Sequence, residues 1–319
     1  MVSDVRVHRT RHSVDVDAQP GVVYGLIADA ERWPLFFPPN VHVERLEFDG
    51  RDERLRMWAT ANGDVRSWLS ERTQDPAARR ITFRQTRPQA PVETMEGTWI
   101  VEERPGGGTR LVLLHDFTVA GDRPGDVEWV ETACDTNSRA ELASLKGIAE
   151  RWTLLDDLVL SFEDSVRVHG PAELVYDFLY RVGDWPELVP HVSRLDFTEP
   201  APGVQVMAMD TVTADGSTHT TESVRICFPH AGRIVYKQTA TPALMEAHTG
   251  EWSVVPDATG VTVVSQHTVV LRETAVEQVL GAGAGLPEAR RYVREALGRN
   301  STATLNLAKR HAETAIRML

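Results

Sequence analysis

The sequence predicts an α+β protein of two tandem domains, each a curved antiparallel sheet wrapped around one long C-terminal helix with an interior cavity. Three observations predict it. The chain repeats itself once, at an offset of about 150 residues. Each repeat carries a series of short strand-like runs divided by turn residues. Each repeat closes on a long stripe of apolar residues at helical spacing.

The duplication is visible at several points. HVERLEF at 42–48 returns as HVSRLDF at 191–197, RRITFRQT at 79–86 as GRIVYKQT at 232–239, and GTW at 97–99 as GEW at 250–252. VVYGLIADAERWP (22–34) aligns with LVYDFLYRVGDWP (174–186), which pairs Tyr24 with Tyr176 and Trp33 with Trp185. His115 pairs with His267, and NSRAELASLK (137–146) parallels NSTATLNLAK (300–309) beyond a GAGAG insertion at 281–285. A unit this long is a domain, not a solenoid repeat, and gives domains at 1–157 and 158–319.

Within the first repeat a strand over roughly 5–17 precedes a short apolar helix after Pro20. In WPLFFPP, Pro34, Pro38 and Pro39 limit the next piece to a short helix or turn. Strands follow near 41–48, 53–60, 64–74, 79–86, 94–103 and 109–119, separated by Asp49-Gly50, Asn62-Gly63 and Gly106-Gly107-Gly108. The helix over roughly 126–155 keeps Val127, Val130, Cys134, Leu142, Leu145, Ile148, Trp152 and Leu155 in one stripe, interrupted by Asn137 and Ser138. Short turns between successive strands imply an antiparallel meander, and the helix must bury its stripe against that sheet. A curved sheet gripping one helix leaves a ligand cavity.

Composition narrows the function. With 42% hydrophobic and 25% charged residues the chain has a globular profile. It has no apolar run long enough to span a membrane, and MVSDVRVHRTRH lacks the apolar core of a signal peptide. Cys134 and Cys227 are far apart with no metal-binding spacing, so the expectation is a cytoplasmic protein with no disulfide and no metal. A net charge of −12 argues against nucleic-acid and anionic-membrane partners. Phosphate-loop, dinucleotide, zinc-protease and nucleophile-elbow motifs are absent, and no cofactor is expected. His115 and His267 each stand alone in sequence and read as packed or cavity-lining histidines.

The chemistry concentrates in RSWLSER (66–72). With period two, Trp68, Ser70 and Arg72 share one strand face. Neighbouring strands offer Leu55, Met57 and Ala59; Ile81, Phe83 and Gln85; Met95, Gly97 and Trp99; Leu111, Leu113, His115 and Phe117. If that face is interior, Arg72 needs an acidic partner, water or a polar ligand, because an unpaired buried charge costs several kcal/mol.

The WPLFFP segment (33–38), WLSER (68–72), the GTW strand and the long terminal helix together resemble the aromatase/cyclases of bacterial type II polyketide synthases, which have the helix-grip (Bet v 1/START-like) fold; with two copies, the chain is similar to the di-domain subclass. The resemblance implies a substrate, a poly-β-ketone bound to an acyl carrier protein, and an activity, first-ring aldol closure at C7–C12 with loss of water. It implies that Arg72 and Ser70 are catalytic, and that Trp33, Trp68, Asn40, Phe83, Gln85, Met95, Trp99, Leu113 and Asn137 contact substrate. Asn40 stands where mono-domain members have a tyrosine, and Gln85 where they have a second arginine. The second repeat keeps Ser223 and Arg225 but has Thr221 for the tryptophan and a segment after Trp185-Pro186 three residues shorter. That favours the first domain for catalysis, with the second a divergent pocket or a scaffold.

In the expected mechanism Arg72 polarises a ketone, its fork holding both oxygens of a 1,3-dicarbonyl, while Ser70 relays protons. The arginine groups Arg51/Arg54/Arg56, Arg79/Arg80/Arg84 and Arg290/Arg291/Arg294 read as solvated faces or as docking points for an acidic carrier. A homo-oligomer is left open, and the alternative function is non-catalytic binding of a lipid- or sterol-like ligand.

Overall fold

The computed structural model describes residues 6–212 and 216–317, and the chain divides into two compact units at Leu155/Asp156. The first unit runs β1 (His8–Val16), α1 (Pro20–Ala28), α2 (Trp33–Phe36), β2 (Asn40–Phe48), β3 (Asp52–Ala61), β4 (Asp64–Asp75), β5 (Arg80–Arg87), β6 (Val92–Glu103), β7 (Thr109–Val119) and α3 (Pro124–Glu150), followed by a single turn, α4 (Leu155–Leu158). The second repeats the plan: β8 (Val159–Val168), α5 (Ala172–Tyr180), α6 (Trp185–Leu188), β9 (Val192–Ala201), β10 (Val204–Val212), β11 (Thr218–Phe228), β12 (Arg233–Ala240), β13 (Met245–Asp257), β14 (Gly260–Leu271), α7 (Val276–Leu280) and α8 (Leu286–Arg317).

Each unit has one seven-stranded antiparallel sheet. The orders are β1-β7-β6-β5-β4-β3-β2 and β8-β14-β13-β12-β11-β10-β9. Between β1 and β2 the chain passes from one edge of its sheet to the other through α1 and α2, and β8 to β9 does the same through α5 and α6. The hairpin of β3 and β4 turns on Asn62 and Gly63, both at positive φ (50° and 87°), the pairing that two-residue hairpins require.

The long helix of the first unit is shorter than its apolar pattern suggests. It ends at Glu150, and Arg151 leaves helical geometry at φ −105° and ψ 19°. Trp152 continues the sequence periodicity, yet it is 44% exposed, so no burial rewards extending the helix to it. Leu142, Leu145 and Ile148 are buried, and Val130 packs with Met95, Phe117 and Val119.

The repeated GTW and GEW motifs have a steric origin. Gly97 lies between Phe83 on β5 and His115 on β7, and Gly250 lies between Tyr236 on β12 and His267 on β14. A Cβ at Gly97 would run into the Phe83 ring and the Leu114 carbonyl oxygen; one at Gly250 would run into the Tyr236 ring and the Gln266 carbonyl oxygen. The glycine lets an aromatic ring from the neighbouring strand lie flat across the sheet. Gly97→Ala is therefore expected to lower stability by about 1–3 kcal/mol in urea unfolding through overpacking. Gly21→Ala, where nothing lies within 4 Å, is expected to be neutral or slightly stabilising.

Candidate active site

The first unit encloses a cavity of about 180 Å³ between its sheet and α3. Trp33 comes from α2 and Asn40 from β2; Trp68, Ser70 and Arg72 from β4; Phe83 and Gln85 from β5; Met95 and Trp99 from β6; Leu113 from β7; and Asn137 from α3. The first-domain residues that the resemblance marks as catalytic or substrate-contacting thus all face one space. Leu55, Ile81, Leu111 and Phe117, expected on the same face, are buried but lie off the cavity. Asn137 donates through its amide nitrogen to the Thr60 carbonyl oxygen (2.9 Å), which ties α3 to the end of β3.

Arg72 is the centre of the polar end. It is 2% exposed and cannot be a free cation. Its Nη2 donates to the Ile27 carbonyl oxygen at 2.9 Å, one of the carbonyls left without intrahelical partners at the end of α1. Its guanidinium carbon lies 4.6 Å from the centroid of the Trp33 ring, and the Trp33 indole donates to the same Ile27 oxygen at 3.1 Å. Nε sits 3.3 Å from Glu53 Oε1, an ion pair without hydrogen-bond alignment. Glu53, 3% exposed, also accepts from Gln74 (3.0 Å) and Arg45 (3.2 Å).

This corrects the expectation that the whole fork is available to a dicarbonyl. One side of the guanidinium holds α1 and Glu53; Nε and Nη1 are both buried without a hydrogen bond, and Nε is already engaged by the Glu53 ion pair. Burial pulls the Arg72 pKa down to about 10, opposed by Glu53, so the group stays cationic at neutral pH. His115, half-buried on the cavity wall and edge-on to Phe83 at 5.5 Å, is pushed down to about 4 by desolvation and is neutral. Burial raises the Cys134 thiol to about 12, which makes it a wall group rather than a nucleophile.

The second unit has its own cavity of about 130 Å³, lined by Trp185, Ser223, Arg225, Tyr236, Gln238, His248, Trp252 and His267 among others. Arg225 repeats the clamp: Nη2 donates to the Leu179 carbonyl oxygen at the end of α5 (2.5 Å), and the group lies 5.5 Å from the Trp185 ring centroid. Its cross-strand partner is Gln205, whose Oε1 accepts from Nη1 at 2.9 Å, where Arg72 faces Glu53. His267 lines this cavity, as expected, and contacts Tyr236, His248 and Ser265. Among the described residues no group of three or more potential ligands could hold a metal ion.

A family model described as polyketide cyclase/dehydrase and lipid transport matches residues 7–150 and again 159–313, one match per unit. The chain belongs to this family. It is similar over nearly its whole length to the granaticin polyketide synthase bifunctional cyclase/dehydratase of Streptomyces violaceoruber, at 44% identity over 310 residues, 97% of this chain and 95% of the relative. The actinorhodin polyketide synthase bifunctional cyclase/dehydratase of Streptomyces coelicolor is 43% identical over 320 residues, 97% of this chain and 96% of the relative. Among solved structures, the di-domain ARO/CYC BexL from the BE-7585A biosynthetic pathway matches 96% of this chain and 99% of its own, with a TM-score of 0.85 and 51% identity. The fold is therefore the di-domain helix-grip arrangement of these polyketide cyclases.

Several residues of this polyketide cyclase site escaped sequence reasoning. Glu53 lies two positions before Leu55 on the same face of β3 and directly opposite Arg72, so period-two counting carried one step further reaches it. Arg66 and Gln74 extend the β4 face in the same way, Arg66 lining the cavity with its guanidinium 5.2 Å from the Trp129 ring centroid. Trp129 and Glu141 on α3 also line the cavity and carry no local signal beyond helical spacing.

Glu53→Ala is expected to strand the buried Arg72 and lower stability by about 3–5 kcal/mol in urea unfolding. Glu53→Gln, which copies the amide at position 205, should cost roughly half as much or less. A pH effect follows from His115. Its imidazole is neutral when folded down to about pH 4, whereas an unfolded histidine binds a proton below about 6.5. Stability is therefore lost as pH falls through that window. His115→Phe should gain on the parent chain by about 3 kcal/mol between pH 7 and pH 4, read from urea midpoints.

Proposed function

We propose that this protein binds a poly-β-ketone carried on an acyl carrier protein, closes its first ring by an aldol reaction at C7–C12, and removes water to aromatise it. The observation that carries the reading is Arg72: a permanent cation in an apolar cavity wall, held rigidly, with Nη1 left without a hydrogen bond in a cavity that Ser70 and Gln85 also line. Aldol closure builds negative charge first on an enolate and then on an alkoxide. A preorganised donor that needs no reorientation stabilises such charge by about 3–4 kcal/mol.

Nη1 is the donor for that oxygen, and Ser70, buried and adjacent on β4, relays protons to and from the departing hydroxyl. Methylene protons between two carbonyls are already acidic, so the site needs no strong base. Trp33, Trp68, Phe83 and Trp99 shape the space so that one pair of carbons meets, and that positioning lowers the barrier entropically. Asn40, Gln85, Met95, Leu113 and Asn137 complete the wall against which the chain folds.

An acidic carrier needs a local basic surface on an acidic protein. Arg290 and Arg294 are poor candidates, because Arg290 donates to the Asp157 and Val159 carbonyls and Arg294 pairs with Asp164. Arg66, one-third exposed, is also paired, with Asp64 at 2.9 Å, and is favoured only by its place at the first cavity. We place the protein in the cytoplasm, in keeping with two unpaired cysteines; no described helix is long and apolar enough to cross a membrane.

The test uses a minimal type II synthase with and without the protein, on reduced and unreduced chains. Because Arg72→Ala alone would leave Glu53 buried and unpaired, the pair Arg72→Met with Glu53→Met removes both charges and keeps the volume. The expected outcome is a folded protein that no longer yields the correctly cyclised aromatic product. Persistence of that product at the parent level would show that Arg72 is not the cation. A protein that retains ligand without changing product distribution would instead be a lipid- or sterol-like carrier.

A further inference from the structure

The two cavities share one row of side chains across four strands and differ in its chemistry. In the first unit the row is Arg72, Phe83, Gly97, His115; in the second it is Arg225, Tyr236, Gly250, His267. Where Phe83 ends in a bare ring edge, Tyr236 ends in a hydroxyl, 2.9 Å from His267 Nδ1. Gly250 is what permits the reach, since a Cβ there would collide with the Tyr236 ring.

His267 is itself held from both sides. Ser265 Oγ lies 3.2 Å from Nε2, and His248 Nε2 lies 3.0 Å from Nδ1. All three groups are buried, at 0% for Ser265, 2% for His248 and 4% for His267. The corresponding first-unit positions are Leu113 and Met95, which are apolar, and His115. A buried polar network of this kind costs stability unless every member is satisfied, so its presence in one unit and not the other points to use.

We propose that the second cavity is an acid–base site in its own right, in which the Tyr236–His267 pair carries the proton during loss of water from a β-hydroxy ketone held against Arg225. The step balances within the substrate and the pair. The phenol oxygen takes the α-carbon proton while its own proton passes to His267 Nδ1, leaving an enolate beside the Arg225 guanidinium. The enolate then expels the β-hydroxyl, which collects the proton back from His267 through Tyr236 and leaves as water. A C–H and a C–O bond break, a C=C bond and an O–H bond form, and both side chains return to their starting state. Burial holds His267 near 4, so it is neutral at neutral pH and its imidazolium gives the proton up readily. With the proton of His248 on its Nδ1, His248 Nε2 is an acceptor at 3.0 Å and leaves the His267 Nδ1 lone pair to the phenol. Arg225 has the neutral Gln205 where Arg72 has Glu53, which leaves more of its positive charge for an enolate.

The proposal rests on the polyketide assignment above, and its test keeps the two apart. Full-length protein is combined with a minimal type II synthase on a reduced chain, and first-ring products are separated by mass into hydrated and dehydrated forms. Tyr236→Phe is the decisive variant, because phenylalanine already occupies the matching position over Gly97. It should lower the ratio of dehydrated to hydrated ring about 100-fold while total first-ring product stays at the parent level. His267→Gln should move the same ratio in the same direction. A purely structural role would lower both products together and leave the ratio unchanged. The parent ratio in Tyr236→Phe would overturn the proposal. If the parent protein itself leaves the synthase products unaltered, the polyketide assignment fails and takes this site with it.

Discussion

A guanidinium removed from water has to be compensated on every side, and each half of this protein is arranged around doing that once. In the first unit the compensation comes from the carbonyl end of α1, the face of Trp33 and the carboxylate of Glu53. Three separate elements converge on one side chain of β4. The carbonyls at a helix C-terminus carry partial negative charge and lack intrahelical donors, so Arg72 satisfies α1 as much as α1 satisfies Arg72. The short α2 exists to bring Trp33 under the cation and to donate its indole to the same carbonyl. The cavity floor is therefore fixed before any ligand arrives, and the donor left over is fixed with it.

Duplication made the two halves comparable residue by residue. Both keep the arginine, the tryptophan beneath it and the helix carbonyl. What changed is the partner opposite the arginine, carboxylate in one and amide in the other, and the far end of the row, where a ring edge became a phenol against an imidazole. The glycine between them was kept because both rings need the same clearance. The structural clamp is common to both halves, and the reactive groups around it diverged. The expectation that favours the first domain rests on Thr221 in place of a tryptophan and on the shorter segment after Trp185-Pro186; the cluster of Tyr236, His248 and His267 lies on strands further along.

Most of the architecture was legible in the chain. Strand runs divided by Asp-Gly, Asn-Gly and Gly-Gly-Gly turns, and a helical stripe from Val127 to Ile148, have direct physical readings. Period two on β4 correctly grouped Trp68, Ser70 and Arg72, and Met57, Phe83, Gln85, Met95, Trp99 and Leu113 followed from the same alternation on neighbouring strands, whereas Asn40 came from the family resemblance. The end of α3 was misjudged because periodicity reports where apolar residues recur and not whether anything is there to cover them; Trp152 recurs and stays exposed.

The sequence by itself determined that there are two copies of one domain, which face of each strand is interior, and that Arg72 must find a partner, because those depend only on local alternation and on the cost of burying charge. Only the tertiary structure decided who that partner is and which nitrogen remains free. Cross-strand register sets Glu53 opposite Arg72, and the docking of α1 delivers the Ile27 carbonyl from 45 residues away. The same holds for Tyr236, His248 and His267, which are unremarkable on three separate strands and become one hydrogen-bonded cluster only when the sheet aligns them.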